Sequence, residues 1–175
     1  MVFALAGRRI DSPQAEPARF PLRNLDLVRS RLRALFDRGR GNTLICSAAC
    51  GADLLALDAA GELNMQRRVI LPFDREQFRE TSVTDRPGDW GQIYDRVLDE
   101  VERAGNLLVE SAPPGEAAYA HAEFRIFEEA ARAGGSQAAV VVWDGQERGP
   151  GDLTALFAHT ARERGIAVIE ISTLE

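Results

Sequence analysis

Residues 43–57 read TLICSAACGADLLAL, in which a short apolar run, a turn of small residues and a second apolar stretch follow one another directly. The run at 43–46 predicts a buried strand. The small residues of CSAACGAD, at 46–53, predict a tight turn, and the apolar stretch at 52–63 predicts a helix covered on more than one side. A strand leading straight into a helix is the repeating unit of a parallel α/β sheet.

The same alternation extends in both directions along the chain. Strands are predicted at 2–6, 43–46, 68–71, 106–109, 138–143 and 166–171, and helices at 21–36, 52–63, 90–101, 116–133 and 152–164. Gly39 and Gly41 are predicted to stop the first helix, residues 113–115 to form a turn, and the polar segment 73–89 to be a long loop. The order predicts an α/β fold with one domain over 1–175, namely a Rossmann-like three-layer sandwich with a mainly parallel sheet of about six strands and helices on both faces.

The composition excludes several kinds of chemistry. The formal net charge of the 175 residues is −6, which argues against non-specific nucleic-acid binding. All 21 basic residues are arginine, so a P-loop lysine and a Schiff-base lysine are both excluded. Two cysteines in C-x₃-C spacing and two distant histidines do not predict a metal site, and no cofactor is expected. The first residues lack the basic region of a signal peptide, and no run is long enough to span a membrane, so a cytoplasmic location is expected.

Two loops of small residues lie where such folds bind ligands, at the carboxyl ends of the strands. One is CSAACGAD at 46–53, and the other is GPGDLT at 149–154. Small residues allow backbone N–H groups to approach a phosphate, and a helix N-terminus adds partial positive charge. Each feature also has a purely structural interpretation: tight packing for the turns, a dipole contact for Asp53 and a turn residue for Asp144.

These residues resemble the SLOG superfamily, which groups the LOG, Smf/DprA and YspA-like proteins with a Rossmann-like fold. The strand followed by SAACGAD is similar to the S-G-x-A-x-G-A-D signature, and ALAGRRID is similar to a first strand followed by G-x-R. The segment from VVVWDG to GPGDLTALFAHTARERGIAVIEI resembles the family's glycine–threonine loop, helix and last strand. LPFDREQFRETSV resembles a loop common in bacterial members, so a bacterial source is expected.

The resemblance implies binding of a nucleotide or nucleotide derivative by a homodimer or higher homo-oligomer. The arginines of segment 73–89, which are Arg75, Arg79 and Arg86, are predicted to close over phosphates. The full set of predicted ligand-binding residues is Gly7, Arg8, Arg9, Ser47, Ala48, Gly51, Asp53, Phe73, Arg75, Arg79, Asp144, Gly145, Gly149, Gly151 and Thr154.

Four functions remain open at the level of sequence. The favoured one is a sensor-type nucleotide-binding protein without strong catalysis, because Phe157 occupies the position of the glutamate in the LOG motif P-G-G-x-G-T-x-x-E. The alternative is a LOG-like hydrolase that cleaves the N-glycosidic bond of a nucleoside monophosphate. Its candidate acids are Asp53, Asp74, Glu76, Glu80, Glu110 and Asp144, and no catalytic residue is assigned. DNA binding of the DprA kind conflicts with the negative charge, and the fourth reading is an interaction module without a ligand.

Overall fold

The computed structural model describes residues 1–38, 42–111, 113 and 115–175. Its strands are β1 (Val2–Gly7), β2 (Thr43–Cys46), β3 (Gln66–Leu71), β4 (Leu107–Val109), β5 (Gln137–Trp143) and β6 (Ala167–Ser172). Its α-helices are α1 (Leu25–Arg38), α2 (Ala52–Glu62), α3 (Arg75–Ser82), α4 (Trp90–Arg103), α5 (Glu116–Ala133) and α6 (Leu153–Glu163), and a 3₁₀ turn at Leu22–Asn24 precedes α1. Gly39, Gly41 and part of the predicted turn at 113–115 lie outside the described residues.

The six strands form one sheet in the order β4-β3-β2-β1-β5-β6, and every neighbouring pair is parallel. Helices α1, α2 and α4 pack on one face, and α5 and α6 pack on the other. The chain is therefore wound in two directions from β1 at the centre, and the prediction of a Rossmann-like three-layer α/β sandwich is confirmed. The reversal of winding falls between β1 and β5.

Alternation along the central strands accounts for the two cores. In β1, Phe3 and Leu5 face the layer of α1, α2 and α4, whereas Val2, Ala4 and Ala6 face the layer of α5 and α6. Strand β5 is buried almost throughout, as the continuous run AAVVVW predicts for a central parallel strand. Helix α2 is buried in nine of its eleven residues because α1 and α4 flank it, which confirms its predicted cover on more than one side.

The prediction of a continuous loop at 73–89 is wrong, because the segment contains α3. The Asp74 side chain caps this helix by accepting a hydrogen bond from the Gln77 backbone N–H at 2.9 Å. Phe78 and Ser82 form its buried side. An aspartate followed three residues later by glutamine is a helix-start signal that the charged composition of the segment concealed.

Candidate functional site

A cavity of about 540 Å³ opens at the carboxyl edge of the sheet, where the winding reverses. We call it the switch-point cavity. Its wall is formed by the segment after β1, the loop at 15–19, the turn between β2 and α2, the end of α3 with the residues after it, one side of α5, and the start of α6. This is the place where doubly wound sheets bind ligands.

The structure brings six of the fifteen predicted site residues together around this cavity. They are Gly7, Arg8, Arg9, Ser47, Asp53 and Thr154. Gly149 and Gly151 line a second cavity of about 390 Å³ between the starts of α5 and α6. The remaining seven line neither cavity among the residues that the structure describes: Ala48, Gly51, Phe73, Arg75, Arg79, Asp144 and Gly145.

The turn CSAACGAD is a tight junction in which several N–H groups are already engaged. The backbone N–H of Cys50 donates to the Ser82 carbonyl at 3.0 Å, and that of Ala52 donates to the Arg8 carbonyl at 3.1 Å. Gly51 has a φ of 99°, and a Cβ there would lie 2.8 Å from the Arg8 oxygen, so no other residue fits. Gly51 and the fully buried Ala48 therefore serve packing, and the turn is not an open phosphate cradle.

Arg8 lines the cavity, but its guanidinium group is engaged by three protein acceptors. It donates to the Asp144 carboxylate at 2.9 Å, to the Asp152 carboxylate at 2.5 Å and to the Gln146 carbonyl. Arg19 also donates to Asp144, at 2.6 Å. The predicted role of Asp144 as a ligand contact is therefore replaced by a structural one, which joins the ends of β1 and β5.

The loop before α6 is closed by its own aspartate. Asp152 is the N-cap of the helix and accepts hydrogen bonds from the backbone N–H groups of Arg148, at 2.8 Å, and Ala155, at 3.3 Å. Burial alone would raise the pKa of Asp152, but the hydrogen bonds from Arg8 and these N–H groups lower it to about 2. A carboxylate thus occupies the position where the resemblance implied a phosphate.

Arg75 and Arg79 point toward α4 and away from the switch-point cavity. Arg75 pairs with Asp99 at 2.6 Å, and Arg79 makes two hydrogen bonds to Asp95, both at 2.9 Å. Phe73 is buried against Tyr119, with ring centroids 5.4 Å apart. In an amphipathic helix, the position of a residue in the sequence decides which side of the helix its side chain lies on. A loop at 73–89 would impose no such direction, and for this reason Arg75 and Arg79 were wrongly expected to point toward the ligand.

Two carboxyl groups form what we call the acidic end of the cavity, Asp53 on α2 and Glu123 on α5. The Asp53 Oδ2 atom accepts a hydrogen bond from the Ala49 backbone N–H at 3.2 Å, while Oδ1 is buried with no hydrogen-bond partner among the described residues. The Glu123 Oε2 atom is likewise buried with no hydrogen-bond partner among the described residues. Burial raises the pKa of Asp53 to about 7, although the Ala49 N–H and the charge of Arg9 oppose the shift. Burial, and then the neighbouring Asp53, raises the pKa of Glu123 well above its usual value.

Two arginines of the wall form what we call the arginine end of the cavity, Arg9 after β1 and Arg86 after α3. Both share one carboxylate, that of Asp85, which pairs closely with Arg9 and lies 3.6 Å from the Arg86 Nε. The Nε atoms of Arg9 and Arg86 are buried without a hydrogen-bond partner among the described residues. Two cations with one anion leave a net positive charge of one at this end.

Aromatic side chains form another part of the wall. Phe78 and Tyr119 both line the cavity, and their ring centroids lie 6.4 Å apart. The Tyr119 hydroxyl forms a 3.0 Å hydrogen bond with the Ser82 hydroxyl, which fixes α5 against the end of α3. Aromatic faces beside unsatisfied polar groups are typical of sites for small polar ring compounds.

Sequence reasoning missed Glu123, Phe78 and Tyr119. It named Arg86 as one of the arginines of segment 73–89 predicted to close over phosphates, but did not include it in the set of site residues. A signal for Glu123 was present, because the residue falls on the apolar side of α5, four positions after Tyr119 and three before Ile126. A carboxylate on a buried helix face requires an explanation, and the cavity provides one. Phe78 has no such signal, because only the helical conformation of 75–82 turns it inward.

Comparison with known proteins yields no relatives: no family model matches the chain, and a search of curated proteins returns no match. Within the described residues, no group of three or more histidine, cysteine, aspartate or glutamate side chains is placed to hold a metal ion. The helices of the described part are all too short or too polar to cross a bilayer. The arrangement of charges around the switch-point cavity therefore carries the functional argument.

Proposed function

We propose that this chain is a nucleotide-binding domain of SLOG type, which takes a nucleotide or nucleotide derivative in the switch-point cavity without strong catalysis. One observation carries the proposal. Four buried side-chain atoms lack hydrogen-bond partners within the described residues, and all four belong to residues lining this cavity: Arg9 Nε, Arg86 Nε, Asp53 Oδ1 and Glu123 Oε2. Leaving such an atom unsatisfied costs about 1–3 kcal/mol, so the set is expected to be satisfied by a ligand.

The chemistry of the four atoms favours an anion at one end of the ligand and hydrogen-bonding groups at the other. Arginine N–H groups at the arginine end suit a phosphate. Carboxyl oxygens at the acidic end suit hydroxyl or N–H groups, and Tyr119 and Phe78 suit a flat ring. A phosphorylated nucleoside has these three parts, and a volume of about 540 Å³ falls within the usual range for small-molecule sites.

A thermal-shift screen against nucleoside 5′-monophosphates, cyclic nucleotides and ADP-ribose tests the proposal. A ligand present at 100 times its dissociation constant should stabilise the fold by about 2.7 kcal/mol. Arg9→Gln should weaken binding at least tenfold by calorimetry. The matched control is Arg79→Gln, which removes an arginine that the sequence also nominated but that pairs with Asp95 outside the cavity. Equal losses for both variants, or no stabilisation by any compound, would reject the proposal.

A second candidate function is hydrolysis of an N-glycosidic bond, and the Asp53–Glu123 pair favours it. A protonated Glu123 would donate its proton to the departing base nitrogen as the C–N bond breaks, while Asp53 would take a proton from the attacking water. Chromatography of nucleoside monophosphates after incubation tests this directly. Free base that accumulates with the unmodified chain, and not with Glu123→Gln, would establish the enzyme; intact nucleotide in the presence of saturable binding would establish the sensor.

The other expectations remain proposals of the same kind. A homodimer or higher homo-oligomer is checked by light scattering, and a cytoplasmic location in a bacterial cell by fractionation. The absence of a cofactor requirement is checked by binding measurements after dialysis against a chelator.

A further inference from the structure

The acidic end contains two carboxyl groups that no cation among the described residues neutralises by direct contact. Neither Asp53 nor Glu123 takes part in an ion pair with any described residue. Asp53 is only 7% exposed, and its Oδ1 atom is buried with no hydrogen-bond partner among the described residues. Arg9 acts on Asp53 through space but is itself paired with Asp85.

The other charged groups around Asp53 and Glu123 do not act as counter-ions for these two carboxyl groups. Cys46, at the end of β2, is close enough to feel both carboxylates, and burial together with them raises the pKa of its thiol. Arg8 and Arg19 are committed to Asp144, and Arg148 lies beside Asp152. The other charged or titratable groups of the wall are Asp11 and Glu16 in the rim loop, Arg86 after α3, and Tyr119 on α5.

Two carboxyl groups that line one cavity, each with a buried oxygen and neither with a counter-ion among the described residues, disfavour simultaneous ionisation, because desolvation and like-charge repulsion act together. The raised pKa values of both groups agree with this geometry. Glu123 is only half-buried, so a ligand that fills the cavity excludes the water that still reaches this carboxyl group and strengthens both effects. Ionisation of the pair must therefore become less favourable on binding.

We propose that the Asp53–Glu123 pair holds a proton when a ligand is bound, so that the part of the ligand at the acidic end is uncharged and both accepts and donates hydrogen bonds. This inference rests on the proposed function and narrows its ligand class. The ligand is anionic at the arginine end alone, and its binding is accompanied by proton uptake. A ligand with a cationic amine at the acidic end would instead replace the proton.

Calorimetric titration with AMP at pH 8, in two buffers of different ionisation enthalpy, measures the number of protons exchanged. At this pH the phosphate is already fully ionised, since its second pKa is about 6. The expected result is uptake of up to one proton per AMP and an affinity that falls as the pH rises above 7. Glu123→Gln and Asp53→Asn should each reduce the uptake and flatten the pH dependence, whereas the exposed control Glu163→Gln should change neither.

Proton release, or binding without proton exchange, would overturn the inference while leaving the proposed function intact. If neither AMP nor any compound of the screen binds, the proposed function fails and this inference fails with it. A titration of ¹³C-labelled carboxyl groups by NMR, on the chain without ligand, provides a further test of the pair alone. Full ionisation of both Asp53 and Glu123 at pH 6 would overturn the inference whatever binds.

Discussion

Asp53 and Asp152 are both buried aspartates at the start of a helix, on the same edge of the same sheet, yet their environments are opposite. Asp152 accepts hydrogen bonds from Arg8 and from two backbone N–H groups, and its pKa is lowered to about 2. Asp53 accepts one backbone hydrogen bond and leaves one oxygen without a partner, and its pKa is raised to about 7. Burial is common to both, so the presence or absence of partners decides which aspartate is structural and which is available to a ligand.

The largest loss of stability is expected when Asp152 loses its ion pair with Arg8. Arg8→Ala leaves Asp152 and Asp144 buried without their shared cation, and breaking a buried ion pair in this way costs about 3–5 kcal/mol. Urea denaturation should show a decrease of this size in the free energy of unfolding. Arg79→Gln, which breaks a more exposed pair with Asp95, should cost under about 1 kcal/mol and is the control.

Asp53 should behave in the opposite way when its charge is removed. A folded-state pKa of about 7 lies above the ordinary 3.8, so the contribution of Asp53 to stability is fully present below pH 3.8 and is lost as the pH rises toward 7. Asp53→Asn should remove this loss, so the variant should become about 4 kcal/mol more stable relative to the unmodified chain between pH 4 and pH 8. The exposed control Asp37→Asn should show no such gain, and a wild-type stability that rises between pH 4 and pH 7 in step with Asp53 ionisation would contradict the assignment.

The contribution of Asp152 to stability should depend on pH in the reverse direction and with a smaller amplitude. Its folded-state pKa lies below the ordinary value, so its contribution is present above pH 3.8 and is lost as the pH falls toward 2. Asp152→Asn retains the helix cap but loses the charge that Arg8 contacts, and should cost about 2 kcal/mol at pH 7. The difference in unfolding free energy between the variant and the unmodified chain should be about half as large at pH 3 as at pH 7. An equal difference at both pH values would assign the loss to packing.

The smallest expected change in free energy follows substitution of Asp85, whose carboxylate is shared by Arg9 and Arg86. This residue occupies Arg9 N–H groups that a phosphate would use, so Asp85→Asn should tighten the binding of nucleoside monophosphates about tenfold, or about 1.4 kcal/mol. Calorimetry at constant ionic strength checks this result. Asp95→Asn, which frees Arg79 outside the cavity, should leave the affinity unchanged; weaker binding by Asp85→Asn would show that Asp85 positions Arg9 instead of competing with the ligand.

The pattern of apolar residues within each segment was sufficient to predict the fold, because most strands and helices can be recognised from their own sequence. The apolar runs of β1, β2 and β5 and the amphipathic spacing of α4 depend only on neighbouring residues. The exception is α3, where the capping pair Asp74 and Gln77 was present but the charged composition favoured a loop. Its omission placed Arg75 and Arg79 in the site, since an arginine in a loop has no assigned direction.

The candidate site was predictable only in part, because its residues come from six separate segments. Gly7, Arg9, Ser47 and Asp53 follow predicted strands, and the rule that ligands bind at the carboxyl edge predicts the part of the sheet where the structure places them around the cavity. Glu123 lies in the middle of a helix, and no rule about strand ends can find it. Arg8 was found but misinterpreted, because its partners Asp144 and Asp152 are more than 130 positions away in sequence.

The sequence by itself determined the parallel α/β architecture, the sharp turn at CSAACGAD and the absence of lysine chemistry, since these depend on composition and short-range periodicity. Only the tertiary structure decided which polar groups are satisfied. Hydrogen bonding between distant segments consumed Arg8, Asp144 and Asp152, and it left Asp53 and Glu123 with oxygens facing one cavity. The physical reason is that a side chain's availability to a ligand is a property of its three-dimensional surroundings, which residue type and spacing do not specify.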